Sequence, residues 1–353
     1  MKNNVFINGI GAVTAQGIWR TELFEEASEL NEAVNHAQQP SYKEFIAPAM
    51  SRRMSRGIKM GIYAAQQALD EAEVTVPDAI ITGTGLGCSE DSEKFLRNIL
   101  DNQEEFLTPT SFIQSTHNTV AAQIALRLQC KGYNFTYVNR SISFESALLD
   151  ALLQLQQGEE EHILVGGVDE VSDHTFRLLQ LIEEVKASDT NETVKTSVTP
   201  GVNYGEGATF FSLGVQKTRS SYAELVDIHI QHRVDRAELP DFVAQFLERN
   251  TLAAADVDAL LLGYNGDSAS DSYYVAFEAL FPQAASLYYK HLSGQYDACS
   301  AFGLAAAASV LQQRHIPSRL KWKDNTAPGP LKTVLLYNQL KGKDHALTLI
   351  RAC

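Results

Sequence analysis

Asp78-Ala79-Ile80-Ile81-Thr82-Gly83 and Asp258-Ala259-Leu260-Leu261-Leu262-Gly263 read as one phrase written twice. Each is an apolar run of buried-strand length, opened by an acid and closed by a glycine. Each is followed, further along, by a helix rich in Ala and Leu: Ser143–Gln154 after the first and Ser300–Gln312 after the second. Small residues open both helices. The repetition predicts two similar βαβ halves side by side, with a site between them at the helix N-termini.

Outward from these two phrases, strand and helix patterns alternate. Val5–Ile7, Phe135–Val138, Ile163–Val165, Ala208–Leu213, Ala223–Ile230, Thr333–Tyr337 and Ala346–Ile350 are strand-like. Met54–Ala72 has apolar residues at Met54, Ile58, Ile62, Ala65, Leu69 and Ala72, a helical spacing. Val120–Leu128, Phe242–Arg249 and Tyr273–Leu280 are helical as well, and Ala187–Thr199 is a polar stretch between elements. The alternation predicts an α/β fold with a mostly parallel sheet covered on both faces.

Composition excludes several classes of function. A formal charge of −14 argues against a nucleic-acid partner, which needs a basic surface. Arg52, Arg53, Arg56 and Lys59 make one local basic cluster, expected to be a solvated helix face. No apolar run approaches the roughly 20 residues that span a bilayer, and Met1–Gly9 lacks the h-region and cleavage site of a signal peptide, so a cytoplasmic location is expected. Cys88, Cys130, Cys299 and Cys353 form no CxxC pair, and the histidines show no metal-binding spacing, so reduced thiols and no metal are expected. His229 and His232 lie three apart in a strand and should face opposite sides. Gly83-Thr84-Gly85-Leu86-Gly87 lacks the GxGxxG spacing of a dinucleotide loop and reads as a strand-ending turn. The acidic run Glu159–Glu161 reads as a solvated loop at a helix end.

Taken in order, several segments resemble the β-ketoacyl-acyl carrier protein synthases. They are Asn8-Gly9-Ile10-Gly11-Ala12-Val13-Thr14, Ser51–Arg56 with Ala64-Ala65 and Ala68-Leu69-Asp70, Gly83-Thr84-Gly85, Val165-Gly166-Gly167, Gly205-Glu206-Gly207-Ala208 and His315-Ile316-Pro317. The resemblance covers nearly the whole chain. It implies a thiolase-like fold with α-β-α-β-α layers, divided as residues 1–215 and 216–353. It also implies a cysteine nucleophile at a helix N-terminus, two histidines, and a Gly-Phe-Gly-Gly loop with a gating phenylalanine. The helix dipole and backbone amides favour a thiolate and an oxyanion at such a place.

The residues at those positions differ. Ser141 falls on the nucleophile position, with Ser143 two residues on and Phe144 in place of a glycine. Asn265, in Asn265-Gly266-Asp267, stands where the first histidine should be, and Asp271 and Glu278 keep the acidic character of the helix that follows. Gln295 stands where the second histidine should follow Lys290, and the lysine is retained. Leu340–His345 replaces the glycine-rich loop, with Lys341 at the phenylalanine position. An unassisted serine is a poor nucleophile, and Asn and Gln cannot take its proton at neutral pH. His291 or His345 would have to serve as base for Ser141 to act. Arg140, just before the nucleophile position, could fill the vacant site; pairing with a carboxylate is the commoner arrangement and the one expected.

The resemblance implies that a chain with these losses is the chain-length-factor-like partner of an active ketosynthase. It would supply interface and tunnel wall in type II fatty acid or polyketide systems, aryl polyenes among them. The chain departs from the chain-length-factor pattern in having serine rather than glutamine at the nucleophile position and in losing both histidines. No organic cofactor is implied. An acyl carrier protein is met indirectly, through the partner. Two alternatives stay open: a serine acyltransferase or thioesterase using Ser141, and a homodimeric acyl-binding scaffold. The segments Val120–Leu128 and Phe135–Val138 are expected at the dimer interface, with charge at Ile124 or Ala125 expected to weaken pairing.

Overall fold

The computed structural model describes residues 2–107, 109–187, 192–325 and 329–353. Residues 188–191 of the polar Ala187–Thr199 stretch therefore lie outside the described residues. The strands that carry the main sheet are β1 (Val5–Thr14), β2 (Ala79–Gly83), β3 (Tyr133–Tyr137), β4 (His162–Asp169), β5 (Gly207–Gly214), β6 (Ala223–His232), β7 (Ala259–Leu262), β8 (Ala285–Tyr288), β9 (Thr333–Leu340) and β10 (Asp344–Arg351). The helices used below are α1 (Arg56–Glu71), α2 (Ser89–Asp101), α3 (Pro109–Ser115), α4 (Thr119–Leu128), α5 (Ser143–Gln157), α6 (Asp173–Leu181), α7 (Leu239–Arg249), α8 (Ser272–Glu278) and α9 (Ser300–Gln313).

The doubled phrase becomes a doubled sheet. In the first half the spatial order is β3-β2-β4-β5-β1, and in the second it is β8-β7-β9-β10-β6. The quoted phrases are β2 and β7, at equivalent places. Each runs parallel to both its neighbours, and the next two pairings in each half are antiparallel. The halves join through a short antiparallel contact, Val5↔Leu225 to Ile7↔Ala223. The sheet is thus mixed, and the mostly parallel expectation is corrected. A helical crossover returns the chain parallel, but β9 and β10 are joined by a tight turn at Lys341-Gly342-Lys343 that can only reverse it.

Five layers follow from which faces are apolar. Helix α9 is buried at every residue from Ser300 to Leu311. A helix apolar all round needs cover on every side, and α9 finds it beside α5 between the two halves of the sheet, in the central core cluster. Helices α1 and α4 cover the outer face of the first half. Helices α7 and α8 cover the outer face of the second. The thiolase-like layering expected from the sequence is what the chain adopts.

Local chemistry sets several boundaries. Helix α1 starts two residues after Met54, because the Ser55 side chain accepts the Ile58 N–H at 3.2 Å and caps it. Helix α5 ends on Gly158 at φ 75°, a left-handed cap that leaves the acidic run in a loop. Gly83 closes β2 where the start of α5 crosses it, and a Cβ there would lie 2.5 Å from the Ser143 and Phe144 backbone. The interface expectation needs one correction. Ile124 is only 2% exposed and sits in the chain's own core, because α4 turns it toward Gly61 of α1. The apolar side chains that α4 and β3 leave exposed are Leu126, Tyr133, Phe135 and, just beyond, Val138.

Candidate functional site

Ser141 lies in a single 3-10 turn, Arg140–Ile142, immediately before α5. Arg140 holds a left-handed φ of 51°, which costs a non-glycine residue on the order of 1–3 kcal/mol and marks a constrained turn. The serine is buried, and its Oγ donates to Asp344 Oδ2 at 3.3 Å. Asp344 Oδ1 in turn meets His232 Nδ1 at 2.6 Å. The group nearest the serine hydroxyl is therefore a carboxylate, with the histidine behind it. A serine hydrolase needs the reverse order, with imidazole touching the hydroxyl and the carboxylate orienting the imidazole.

Neither of the histidines considered from the sequence faces Ser141. His291 stacks on Tyr288 with ring centroids 3.5 Å apart, and its Nε2 meets the Arg319 carbonyl at 2.7 Å. Burial pushes its pKa down to about 3, so it is neutral. His345 Nδ1 meets the Tyr337 hydroxyl at 2.9 Å, and burial also lowers its pKa.

Asn265, Gln295 and Lys290 do come together. Gln295 Oε1 accepts from Lys290 Nζ at 2.8 Å and from Asn265 Nδ2 at 3.4 Å. Gln295 Nε2 donates to the Tyr296 carbonyl at 3.0 Å. Ammonium can only donate, so the amide oxygen must face Lys290, which fixes the amide orientation. Lys290 Nζ donates also to Asn338 Oδ1 at 3.0 Å. The Asn338 amide then donates to Glu145 Oε1 at 3.0 Å and to the Ser141 carbonyl at 3.3 Å. One chain of hydrogen bonds thus runs from Asn265 through Gln295, Lys290 and Asn338 to Glu145, all of it buried. Burial raises the Glu145 pKa; its own backbone, the Asn338 amide, the nearby Ser300 and the Lys290 charge act the other way.

Two anchors hold this chain from outside. Asp271 accepts from the backbone N–H groups of Asn265 and Gly266 at 3.3 and 3.0 Å, and burial pushes its pKa up to about 6. Lys186, 2% exposed, reaches Gly266 O, Ser197 Oγ, Thr199 and Glu192 with one ammonium. Glu278 lies further off, bonded to Ser286 and paired with Lys323.

In front of the polar chain lies a cavity of about 640 Å3 whose lining includes Asn265, Gln295, Arg140, Asp297, Tyr204 and Leu340. Arg140 makes no ion pair among the described residues, contrary to the sequence expectation, because its turn aims it at this cavity beside Asp297. Burial and the neighbouring Asp169 push the Asp297 pKa up to about 7, and Arg140 opposes that rise. Lys341, at the gate position, is in the turn between β9 and β10 and pairs with Glu184. Sequence reasoning missed Glu145, Asn338 and Asp344. An acid in the first turn of an otherwise apolar helix was the one available signal for Glu145. Asn338 and Asp344 reach the site through β-pairing, which leaves no local trace.

Comparisons with known proteins show what the chain resembles. The family described as beta-ketoacyl synthase, N-terminal domain, matches residues 25–189. The 3-oxoacyl-[acyl-carrier-protein] synthase 2 of Synechocystis sp. is 21% identical over 190 residues, covering 48% of this chain and 46% of that protein. The match thus spans about half the length of that curated relative. Among solved structures, the ishigamide ketosynthase/chain length factor superposes with a TM-score of 0.83 at 18% identity, covering 100% of both chains. A beta-ketoacyl synthase from Burkholderia phymatum gives 0.79 at 16% identity, again covering 100% of both. The ketosynthase ApeO in complex with its chain length factor ApeC, from Xenorhabdus doucetiae, gives 0.76 at 13% identity over 99% of this chain and 98% of that one. The chain thus has the fold of these ketosynthase and chain-length-factor structures, and residues 25–189 match the beta-ketoacyl synthase N-terminal domain.

Proposed function

We propose that this chain is the non-catalytic, chain-length-factor-like subunit of a ketosynthase pair in type II fatty acid or polyketide synthesis. The observation that carries the reading is the closed hydrogen-bond chain Asn265–Gln295–Lys290–Asn338. Two amides stand where acid–base groups would be needed, and each is already bonded to its neighbours. Neither amide can shuttle a proton at neutral pH, and Ser141 has a carboxylate instead of an imidazole at its hydroxyl. The chain would contribute its fold, its surface and one wall of the acyl space, while the partner supplies the cysteine.

Supporting the partner role is an apolar surface on one run of elements. Leu100 of α2, Phe112 and Ile113 of α3, Leu126 of α4 and Phe135 of β3 are all more than 40% exposed. Strand β3 is also a sheet edge, bonded among the described residues to β2 alone. An exposed apolar edge strand is a liability unless something covers it, and a partner subunit fits that need.

The experiment is intact-mass analysis after incubation with acyl- and malonyl-carrier protein, alongside Ser141→Ala. No adduct on either chain is expected, together with co-purification of an active ketosynthase. A covalent acyl adduct that disappears in Ser141→Ala would make this a serine enzyme, with the Ser141–Asp344–His232 contacts as its machinery. Self-association with no ketosynthase bound would favour the homodimeric scaffold.

A further inference from the structure

Helix α5 carries half a carboxylate that the polar chain does not use. Glu145 Oε1 takes the Asn338 amide, but Oε2 is buried and has no hydrogen-bond partner among the described residues. Two other buried atoms nearby share that condition, the Ser300 Oγ and the Tyr289 hydroxyl. The three residues are 3%, 6% and 2% exposed. All three line one hollow between α5 and α9, whose apolar walls include Phe144, Leu304 and Leu336. Its volume is about 10 Å3.

Buried polar atoms in folded proteins nearly always have a partner, and three orphans around one space need a common explanation. A water needs about 10–15 Å3 of such space and two to four polar neighbours. The hollow offers one acceptor and two hydroxyls. We propose that it is a binding site for a single ordered water, which accepts from Ser300 and Tyr289 and donates to Glu145 Oε2. A cation fits less well. Hard cations such as calcium take about six to eight oxygens, and Glu145 already answers the charge of Lys290 through Asn338. The water would join the first turn of α5 to the first turn of α9. It would also keep Glu145 in place as the counter-charge of Lys290, on which the orientation of Gln295 depends. The inference concerns this chain alone and does not rest on the partner reading.

The test is a high-resolution crystal structure from crystals grown with rubidium in place of sodium. The expected result is one peak within hydrogen-bond distance of all three atoms, with no anomalous rubidium signal. A hollow without density, or an anomalous peak, would overturn the proposal. Melting temperatures give a second reading. Tyr289→Phe and Ser300→Ala should each lower Tm by about 1–2 °C, because each takes a partner from the water. The double variant should lose less than the sum, since both act through one molecule. An unchanged or raised Tm for Tyr289→Phe, as for removal of an orphan hydroxyl, or strictly additive losses, would refute it.

Discussion

Gln295 makes a set of contacts that a histidine in its place could not. Its amide oxygen accepts from Lys290 and Asn265 at once, while its nitrogen donates to Tyr296. A neutral imidazole has one donor and one acceptor nitrogen and could not receive both. The same site keeps groups that titrate, Asp271 and Asp297 among them. Asp297 has a folded pKa of about 7, against about 4 for an unfolded aspartate. The folded state therefore binds the proton more tightly. The stability this contributes is complete below the unfolded pKa and is lost as pH rises through 7. Asp297→Asn removes that loss. The variant should melt at a higher temperature than the parent at pH 8, and the gap should close as pH falls toward 4. Melting curves across that range check it; a gap independent of pH would mean that Asp297 is not the titrating group.

At the scale of elements, Gly83 shows what holds the two main motifs together. It ends β2 where the backbone of Ser143 and Phe144 passes, and a Cβ would fall 2.5 Å from that backbone. No flexible side chain can move aside. Gly83→Ala should therefore displace the start of α5 and cost about 1–3 kcal/mol, the usual range for overpacking, read as a lower denaturation midpoint. A midpoint equal to the parent's would show that the strand end yields freely. The two strand phrases and both central helices were legible because each is a local pattern; Ser141, Asn265, Gln295 and Lys290 stand out through the resemblance alone, and the structure brings the last three together. The sheet's antiparallel half was not legible, since strand direction depends on what a connection does in space. Lys186 was equally hidden. It sits in a polar stretch like any surface lysine, and only the fold brings Glu192, Ser197, Thr199 and Gly266 around its ammonium.

For the whole molecule, the question is which surface is not meant to face water. Tyr133 and Phe135 stack side by side on the edge strand, with ring centroids 5.9 Å apart and planes 6° from parallel. Leu126 and Val138 are exposed as well, and α3, which packs on α4, adds Phe112 and Ile113. Stable interfaces bury about 1,200–2,000 Å2 with apolar, often aromatic, centres, and the edge-strand amides of β3 add hydrogen bonds that water would otherwise take. Ile124 cannot report on this surface, because a charge there would break the chain's own core before it met a partner. Phe135 can: at 45% exposed it contributes little to the isolated fold. Phe135→Asp should leave the melting temperature of the isolated chain within about 1 °C, as a surface substitution does. It should also abolish co-elution with a ketosynthase in gel filtration, because a charge would then lie desolvated at the centre of the contact. Retained co-elution would move the interface away from β3. A fall in Tm of the isolated chain would mean that Phe135 belongs to its own core after all.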